Sequence, residues 1–235
     1  MDKVKDNGIS KKTEIQKVRT YLCFGLMAAL IAFVADMILG WSTSGNIEGL
    51  GDFSKYLGIS DVRILCSAYL GLLGISVEGI CCFGIFRLIK ENDAKLAKIY
   101  KISIFGAVIL GGLSHMMSCT FVYYLKHMYE ANNGEIPLEV FKYSLFFMDP
   151  LSFLYLFFFL LLNVVQFIAF VKGKTPYPKW CAIFVPAFGF IVSIIAGLIG
   201  NLAWANALST AWMSIGAIYA FCGLLIMLGR GTKQT

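Results

Sequence analysis

Three ionisable residues interrupt long apolar stretches of the sequence, where a charged group is costly. Asp36 lies in the first such stretch, Glu78 in the second and His115 in the third. A carboxylate at mid-membrane costs about 2.5–3.5 kcal/mol on insertion scales, and no Lys or Arg lies at the middle of these stretches. We therefore expect Glu78 to be protonated, paired with His115, hydrated in a cavity or bound to a cation.

Helix periodicity predicts that these residues face other helices rather than lipid. Glu78 shares a helix face with Gly74 and Gly71, and His115 shares one with Gly111. Small residues mark the packed face of a membrane helix. At about 1.5 Å per residue, Asp36, His115 and Glu78 should lie roughly 8, 15 and 21 Å below one membrane boundary. Such steps favour a descending polar funnel over a metal site, whose ligand atoms lie within about 2–2.6 Å of the ion.

Further polar side chains extend the candidate site. Asp149 lies near the outer end of the fourth apolar stretch, and two amides lie in its inner half. Two asparagines flank the outer turn before the last stretch. The full predicted set for ligand binding or proton relay is Asp36, Glu78, His115, Asp149, Asn163, Gln166, Asn201 and Asn206. An amide within a span is about as often a link between helices as a ligand group, so we leave Asn163 and Gln166 open between these two roles.

Composition sets the class of protein that must position these groups. Of 235 residues, 58% are apolar and 14% charged, and the mean hydropathy is +0.75, which excludes an ordinary soluble domain. Runs of about 20 apolar residues are long enough to cross a bilayer as helices. We predict an all-α bundle of six transmembrane helices, at approximately residues 19–41, 64–86, 102–125, 145–171, 180–200 and 203–228.

The distribution of charge predicts the orientation. Most of the 20 basic residues lie in the N-terminal segment, the second and fourth connections and the tail. The positive-inside rule then places both termini in the cytoplasm. Residues 1–18 would form a basic cytoplasmic segment, 19–229 the transmembrane domain and 230–235 a cytoplasmic tail. These short basic flanks offer no continuous basic face, so the lipid bilayer is the expected partner and nucleic acid is not.

Several short motifs together resemble a family of uncharacterised bacterial six-span membrane proteins. They are the segments ADMILGW at 35–41, ISDVR at 59–63 followed by YLGLLG at 69–74 and Glu78, GLSH at 112–115, and KGKTPYPKW at 172–180 followed by GN at 200–201. The resemblance covers about residues 20–228 and implies a multi-pass protein of the bacterial plasma membrane. It singles out Asp36, Glu78 and His115, but it implies no activity. Intramembrane hydrolases that bind zinc through a His-x-x-x-His pair are not matched, because the chain has only His115 and His127.

Three functions fit these residues. The first is a bundle that binds or transports a small molecule or lipid-like ligand, with Glu78 and His115 as a proton-linked switch. The second is an intramembrane isomerase or hydrolase with Glu78 and His115 as general acid and base. The third is an accessory or immunity-type membrane protein in which these groups are structural. No nucleotide, serine-hydrolase or zinc-protease motif is present, and we expect no cofactor or metal.

Overall fold

The protein is all-helical over the part of the chain that the computed structural model describes, residues 2–45, 47 and 50–231. Its α-helices, in chain order, are α1 (Asp2–Gly40), α2 (Asp61–Cys81), α3 (Phe83–Lys90), α4 (Ala94–Ala131), α5 (Leu138–Tyr143), α6 (Asp149–Val171), α7 (Gly189–Ile199), α8 (Ala203–Thr210) and α9 (Trp212–Gly231).

The N-termini of α2 and α4 are capped by side chains. Ser60 Oγ accepts the Arg63 N–H at 3.4 Å, and Asp93 Oδ1 accepts the Leu96 N–H at 3.0 Å. The latter hydrogen bond lowers the pKa of Asp93 below its ordinary value.

Five helical segments are long and apolar enough to cross a membrane. They are Thr13–Gly40, Asp61–Lys90, Ala94–Ala131, Leu138–Val171 and Trp212–Gly229. They overlap the first four predicted spans and the sixth, so a membrane-compatible helical protein is confirmed. The predicted sixth span, residues 203–228, is divided between α8 and α9, and its long apolar helix begins only at Trp212. The predicted fifth span, residues 180–200, is not a continuous helix of spanning length.

The fifth segment is instead interrupted. Short 3₁₀ turns at Lys179–Ile183 and Pro186–Phe188 precede α7, which has 11 residues and is therefore about 16 Å long. Proline lacks a backbone N–H and disfavours helical geometry in the residue before it. Val185, before Pro186, accordingly has extended backbone angles. We call residues 178–199 the interrupted segment.

The interrupted segment still runs alongside α8 and α9. Just before its start the Tyr177 hydroxyl donates to the Leu224 carbonyl at 3.2 Å, and near its end Ser193 Oγ lies 3.0 Å from Ser209 Oγ. The chain thus passes from one end of the bundle to the other in this segment, partly as helix and partly as irregular backbone.

The long segments pack in a closed order around one interior. α2 packs between α1 and α4, α4 contacts α6, and the interrupted segment joins α6 to α9, which returns to α1. α1 and α9 are antiparallel, because Gly25 faces Phe221 whereas Asp36, further along α1, accepts a hydrogen bond from Ser214 near the start of α9. The N-terminal part of α1 and the C-terminal part of α9 therefore share the proximal end of the bundle. We call the opposite end, which contains Gly40, the distal end.

Candidate functional site

Asp36 and His115 form a buried pair in the interior. Asp36 on α1 is 8% exposed, and its Oδ1 lies 3.6 Å from Nδ1 of His115 on α4. Its other oxygen accepts a hydrogen bond from the Ser214 hydroxyl of α9. Two neighbouring helices thus hold the Asp36 carboxyl at a point where water has little access.

The second ring nitrogen of His115 contacts α2. Nε2 lies 3.0 Å from the Ser67 carbonyl oxygen and 3.3 Å from Ser67 Oγ. A carbonyl oxygen only accepts hydrogen bonds, so these partners assign a proton to Nε2. A second proton is needed between Nδ1 and Asp36, because a lone pair facing a carboxylate would be repelled. The Asp36–His115 pair therefore has no net charge, whichever partner holds that proton.

Gly71 of α2 provides the space for the His115 ring. A Cβ added to Gly71 would lie 2.2 Å from two atoms of the imidazole. The small-residue face predicted for α2 therefore does position His115, and it does so by letting the ring lie directly against the helix backbone.

Of the four states expected for Glu78, pairing with His115 is not the one that the structure has, because the carboxyl next to His115 is that of Asp36. The predicted separation in depth between Asp36 and His115 fails for the same reason. It assumed that the helices end at a common level, whereas α1 ends at Gly40 and α4 continues to Ala131. Since Asp36 and His115 are level with each other, α4 extends well beyond α1 at the distal end.

Glu78 lies nearer the proximal end, on the interior face of α2. Gly74, one turn before it, packs on the α1 backbone at Ala32, and Ile75 packs against Gly111 of α4. Glu78 lies between these two contacts and is partly buried. Within the described residues, no hydrogen bond or ion pair engages its carboxyl, whose oxygens are not among the fully buried unpaired atoms. The interior thus contains an acid without a basic partner, beside a pair that is already neutral.

Asn163 and Gln166 of α6 bind the interrupted segment. Asn163 Oδ1 accepts the Ala187 N–H at 2.8 Å, and Gln166 Nε2 donates to the Phe184 carbonyl at 2.8 Å. The Tyr100 hydroxyl of α4 donates to Gln166 Oε1 at 2.8 Å. Irregular backbone in a membrane interior needs partners for groups that a helix would pair internally. These contacts favour the helix-linking role of the two amides over a ligand role.

Replacing Gln166 with Leu should destabilise the protein markedly. The change deprives the Phe184 carbonyl of the side-chain donor described above and the buried Tyr100 hydroxyl of its acceptor. Each unsatisfied buried group costs about 1–3 kcal/mol, so we expect a total loss of roughly 2–5 kcal/mol. Denaturant unfolding in detergent measures it. Gln16→Leu, at an exposed position of α1, is the control, and equal stability of the two variants would contradict the assignment.

The remaining predicted site residues lie at the distal end: Asn201 in the turn before α8, Asn206 in α8 and Asp149 at the start of α6. Asn201 forms two 2.8 Å hydrogen bonds with the Ser44 backbone, and Asn206 Nδ2 donates to the Ser42 carbonyl at 2.8 Å. These bonds fasten the segment after α1 to the turn before α8. Asp149 accepts a hydrogen bond from Ser144 at 3.2 Å. In the described part of the chain, no hydrogen bond links these residues to the Asp36–His115 pair or to the Glu78 carboxyl, so the eight predicted residues form separate groups.

Two residues of the site were not among the predicted ones, Ser67 and Ser214. Both lie on small-residue faces that the sequence does show: Ser67 is one helical turn from Gly71, and Ser214 is one turn from Ala217. Their partners could not be read from the chain, because the contacts connect residues 48 and 178 positions apart.

Ser67, His115 and Asp36 contact one another in the sequence hydroxyl, imidazole, carboxyl, as in an acyl-transfer triad. Their geometry, however, does not allow that chemistry. Ser67 is fully buried. The proton on Nε2 is directed at the Ser67 carbonyl, so His115 has no free lone pair at Nε2 with which to accept the Ser67 proton. Among the described residues, no group of three or more His, Cys, Asp or Glu is placed to hold a metal ion.

The fold and the buried ionisable groups define a helical, membrane-compatible protein with a polar interior. The chain belongs to a family of unknown function, DUF6796, whose model matches residues 3–230. The resemblance to an uncharacterised family is thereby confirmed. Comparison with curated proteins gives no match, and comparison with solved structures gives none.

Proposed function

We propose that the protein binds a small polar or lipid-like ligand within the membrane and carries it across, with Glu78 exchanging a proton as the ligand binds and leaves. The observation that carries this proposal is the half-buried Glu78 carboxyl, which lies on the packed face of α2 without a hydrogen-bond or ion-pair partner among the described residues. Intramembrane ionisable residues of this kind mark substrate pathways and proton relays.

Charge balance supports a proton-linked role. Because the Asp36–His115 pair is neutral, an ionised Glu78 would leave one uncompensated negative charge in the interior. Such a charge requires water, a bound cation or a proton. A ligand that supplies a cationic or hydrogen-bond-donating group could replace the proton, which couples ligand binding to proton release.

The interrupted segment supports transport in particular. Discontinuous helices recur in transporters, where irregular backbone lines or supports a site near mid-membrane. Here the irregular part contacts α9, the helix that supplies Ser214 to Asp36. A change in how this segment packs would therefore reach the Asp36–His115 pair through α9.

The acid–base enzyme is less well supported, because it needs Glu78 and His115 to act together and His115 is engaged by Asp36 and Ser67. An accessory protein with purely structural polar groups remains the second candidate. The contacts of Asn163, Gln166, Asn201 and Asn206 favour it, since all four amides hold parts of the chain together.

We further propose that the proximal end faces the cytoplasm of a bacterial cell and that the chain crosses the plasma membrane six times. Basic residues at that end include Lys17, Arg87 and Lys174, as the positive-inside rule requires. The interrupted segment would count as the fifth crossing.

Glu78→Gln separates the transport proposal from the accessory one. A neutral amide removes the cost of an unpaired acid, so we expect thermal stability equal to or above that of the native chain. A ligand retained through detergent purification should be lost from the variant, as native mass spectrometry would show. Uptake of that ligand into vesicles under an imposed proton gradient should also cease.

Glu91→Gln is the matched control, since Glu91 is exposed in the connection after α3 and should leave ligand retention unchanged. A large loss of stability in Glu78→Gln with unchanged ligand retention would favour the accessory role and contradict the proposal.

A further inference from the structure

A groove of about 490 Å³ lies between the distal end of α1 and the start of α2. One wall of the groove is a stripe of apolar side chains on α1. The cationic side chain of Arg63 lies at the distal end of the groove. The lining residues are Phe33, Val34, Met37, Ile38, Trp41 and Arg63. The groove opens on the outer surface of the bundle, because Val34 and Trp41 are both about half exposed.

Arg63 carries a charge that the described protein residues do not neutralise. Its Nε and Nη2 donate to the Ile38 carbonyl at 3.1 and 2.7 Å, and Nη2 donates to the Trp41 carbonyl at 2.8 Å. These bonds cap the C-terminal end of α1 and fix the guanidinium above the groove. The nearby Asp61 is engaged instead by Lys126 at 2.7 Å. Nη1 makes no hydrogen bond to any described residue, so one edge of the guanidinium can donate to an anion.

We propose that this groove binds an anionic phospholipid, with its phosphate on Arg63 and an acyl chain along α1. Guanidinium and phosphate form strong charge-assisted hydrogen bonds, and Trp41 lies where an aromatic ring meets a lipid headgroup. From Trp41 to Phe33 the stripe runs about 12 Å, close to the roughly 15 Å depth of one leaflet's hydrocarbon. A free phosphate ion would use Arg63 but leave the apolar wall uncovered, so the occupant that fits both is a lipid.

Native mass spectrometry of the full chain in detergent tests the site, with phosphatidylglycerol and phosphatidylcholine of identical chains as probes. We expect phosphatidylglycerol to bind more tightly. Arg63→Gln should weaken it roughly tenfold, as loss of a charge-assisted hydrogen bond predicts. Val34→Trp, which fills the groove and retains Arg63, should weaken both lipids.

Two control variants match these changes. Lys142→Gln removes an exposed cation elsewhere, and Val164→Trp enlarges a half-exposed valine on α6; neither should alter lipid binding. Arg63 also caps α1, so Arg63→Gln could fail to fold. Arg63→Lys, which keeps the charge, is the variant to use in that case, and it should retain selectivity for phosphatidylglycerol.

Three results would overturn the proposal. They are equal affinity for the two lipids, unchanged binding in both Arg63→Gln and Val34→Trp, and displacement of phosphatidylglycerol by millimolar glycerol phosphate. The last would show that the headgroup alone accounts for binding. None of these outcomes depends on Glu78, so failure here leaves the proposed transport function untouched.

Discussion

Gly216→Ala should prevent the protein from reaching its folded state. A Cβ on Gly216 of α9 would lie 1.7 Å from the Pro186 carbonyl oxygen, and one on Gly189 would lie 1.9 Å from the Trp212 carbonyl oxygen. Both obstructing atoms belong to backbone, which cannot rotate away as a side chain can. The interrupted segment and α9 would have to separate, breaking the contacts that close the bundle.

We therefore expect a loss above about 4 kcal/mol, in the range reserved for severe core changes. The measurements are the yield of monodisperse protein after detergent extraction and the thermal midpoint of any that is recovered. Gly197→Ala is the control, because a Cβ added to Gly197 of α7 would meet nothing within 4 Å among the described residues. Alanine there should be neutral or mildly favourable for the helix. Normal folding of Gly216→Ala would contradict the close packing of the two segments.

The long helices could be predicted from the sequence because each depends on a local property. Five of the predicted spans are apolar runs without a proline in their central turns, and the structure has them as long helices. The remaining run satisfied the same hydropathy criterion but contains Pro186, only six residues after Trp180. Hydropathy reports how well a segment tolerates lipid, whereas proline decides whether its backbone can be helical. Pro186 therefore indicates the interruption in the sequence, whereas the number of apolar residues alone does not.

The inward direction of Asp36, Glu78 and His115 could also be predicted, because small residues one turn away mark the packed face of each helix. The pairing of those residues could not. Which acid meets His115 depends on how α1 and α2 are placed lengthwise against α4, and contacts such as Gly74 of α2 against Ala32 of α1 set part of that register. One helical turn corresponds to about 5.4 Å, so a small sliding of α1 would bring a different residue to the imidazole.

The roles of Asn163 and Gln166 required the tertiary structure for a related reason. An amide within an apolar helix has the same appearance in the sequence whether it binds a ligand or a neighbouring backbone. The structure favours the second role, because these amides form hydrogen bonds with the Ala187 N–H and the Phe184 carbonyl of the interrupted segment. An interruption in one segment thus accounts for polar residues in another.

Loss of either member of the Asp36–His115 pair should destabilise the protein strongly. Asp36→Ala leaves His115 with a buried ring nitrogen lacking its partner, and His115→Ala leaves a buried carboxyl held by Ser214 alone. Removing one member of a buried ion pair typically costs about 3–5 kcal/mol. Removing both members eliminates the uncompensated group as well, so the double variant should lose less than the sum of the single losses.

A double-mutant cycle on denaturant unfolding in detergent measures this difference, and we expect a coupling of about 1–3 kcal/mol. The exposed pair Glu139–Lys142, whose charged atoms are 4.0 Å apart, provides the matched cycle and should show much weaker coupling because solvent screens it. Strictly additive losses at Asp36 and His115 would mean that the two groups do not share a proton or a charge. The inference that the pair is neutral would then be wrong. The charge balance that identifies Glu78 as the uncompensated acid of the interior would be wrong as well.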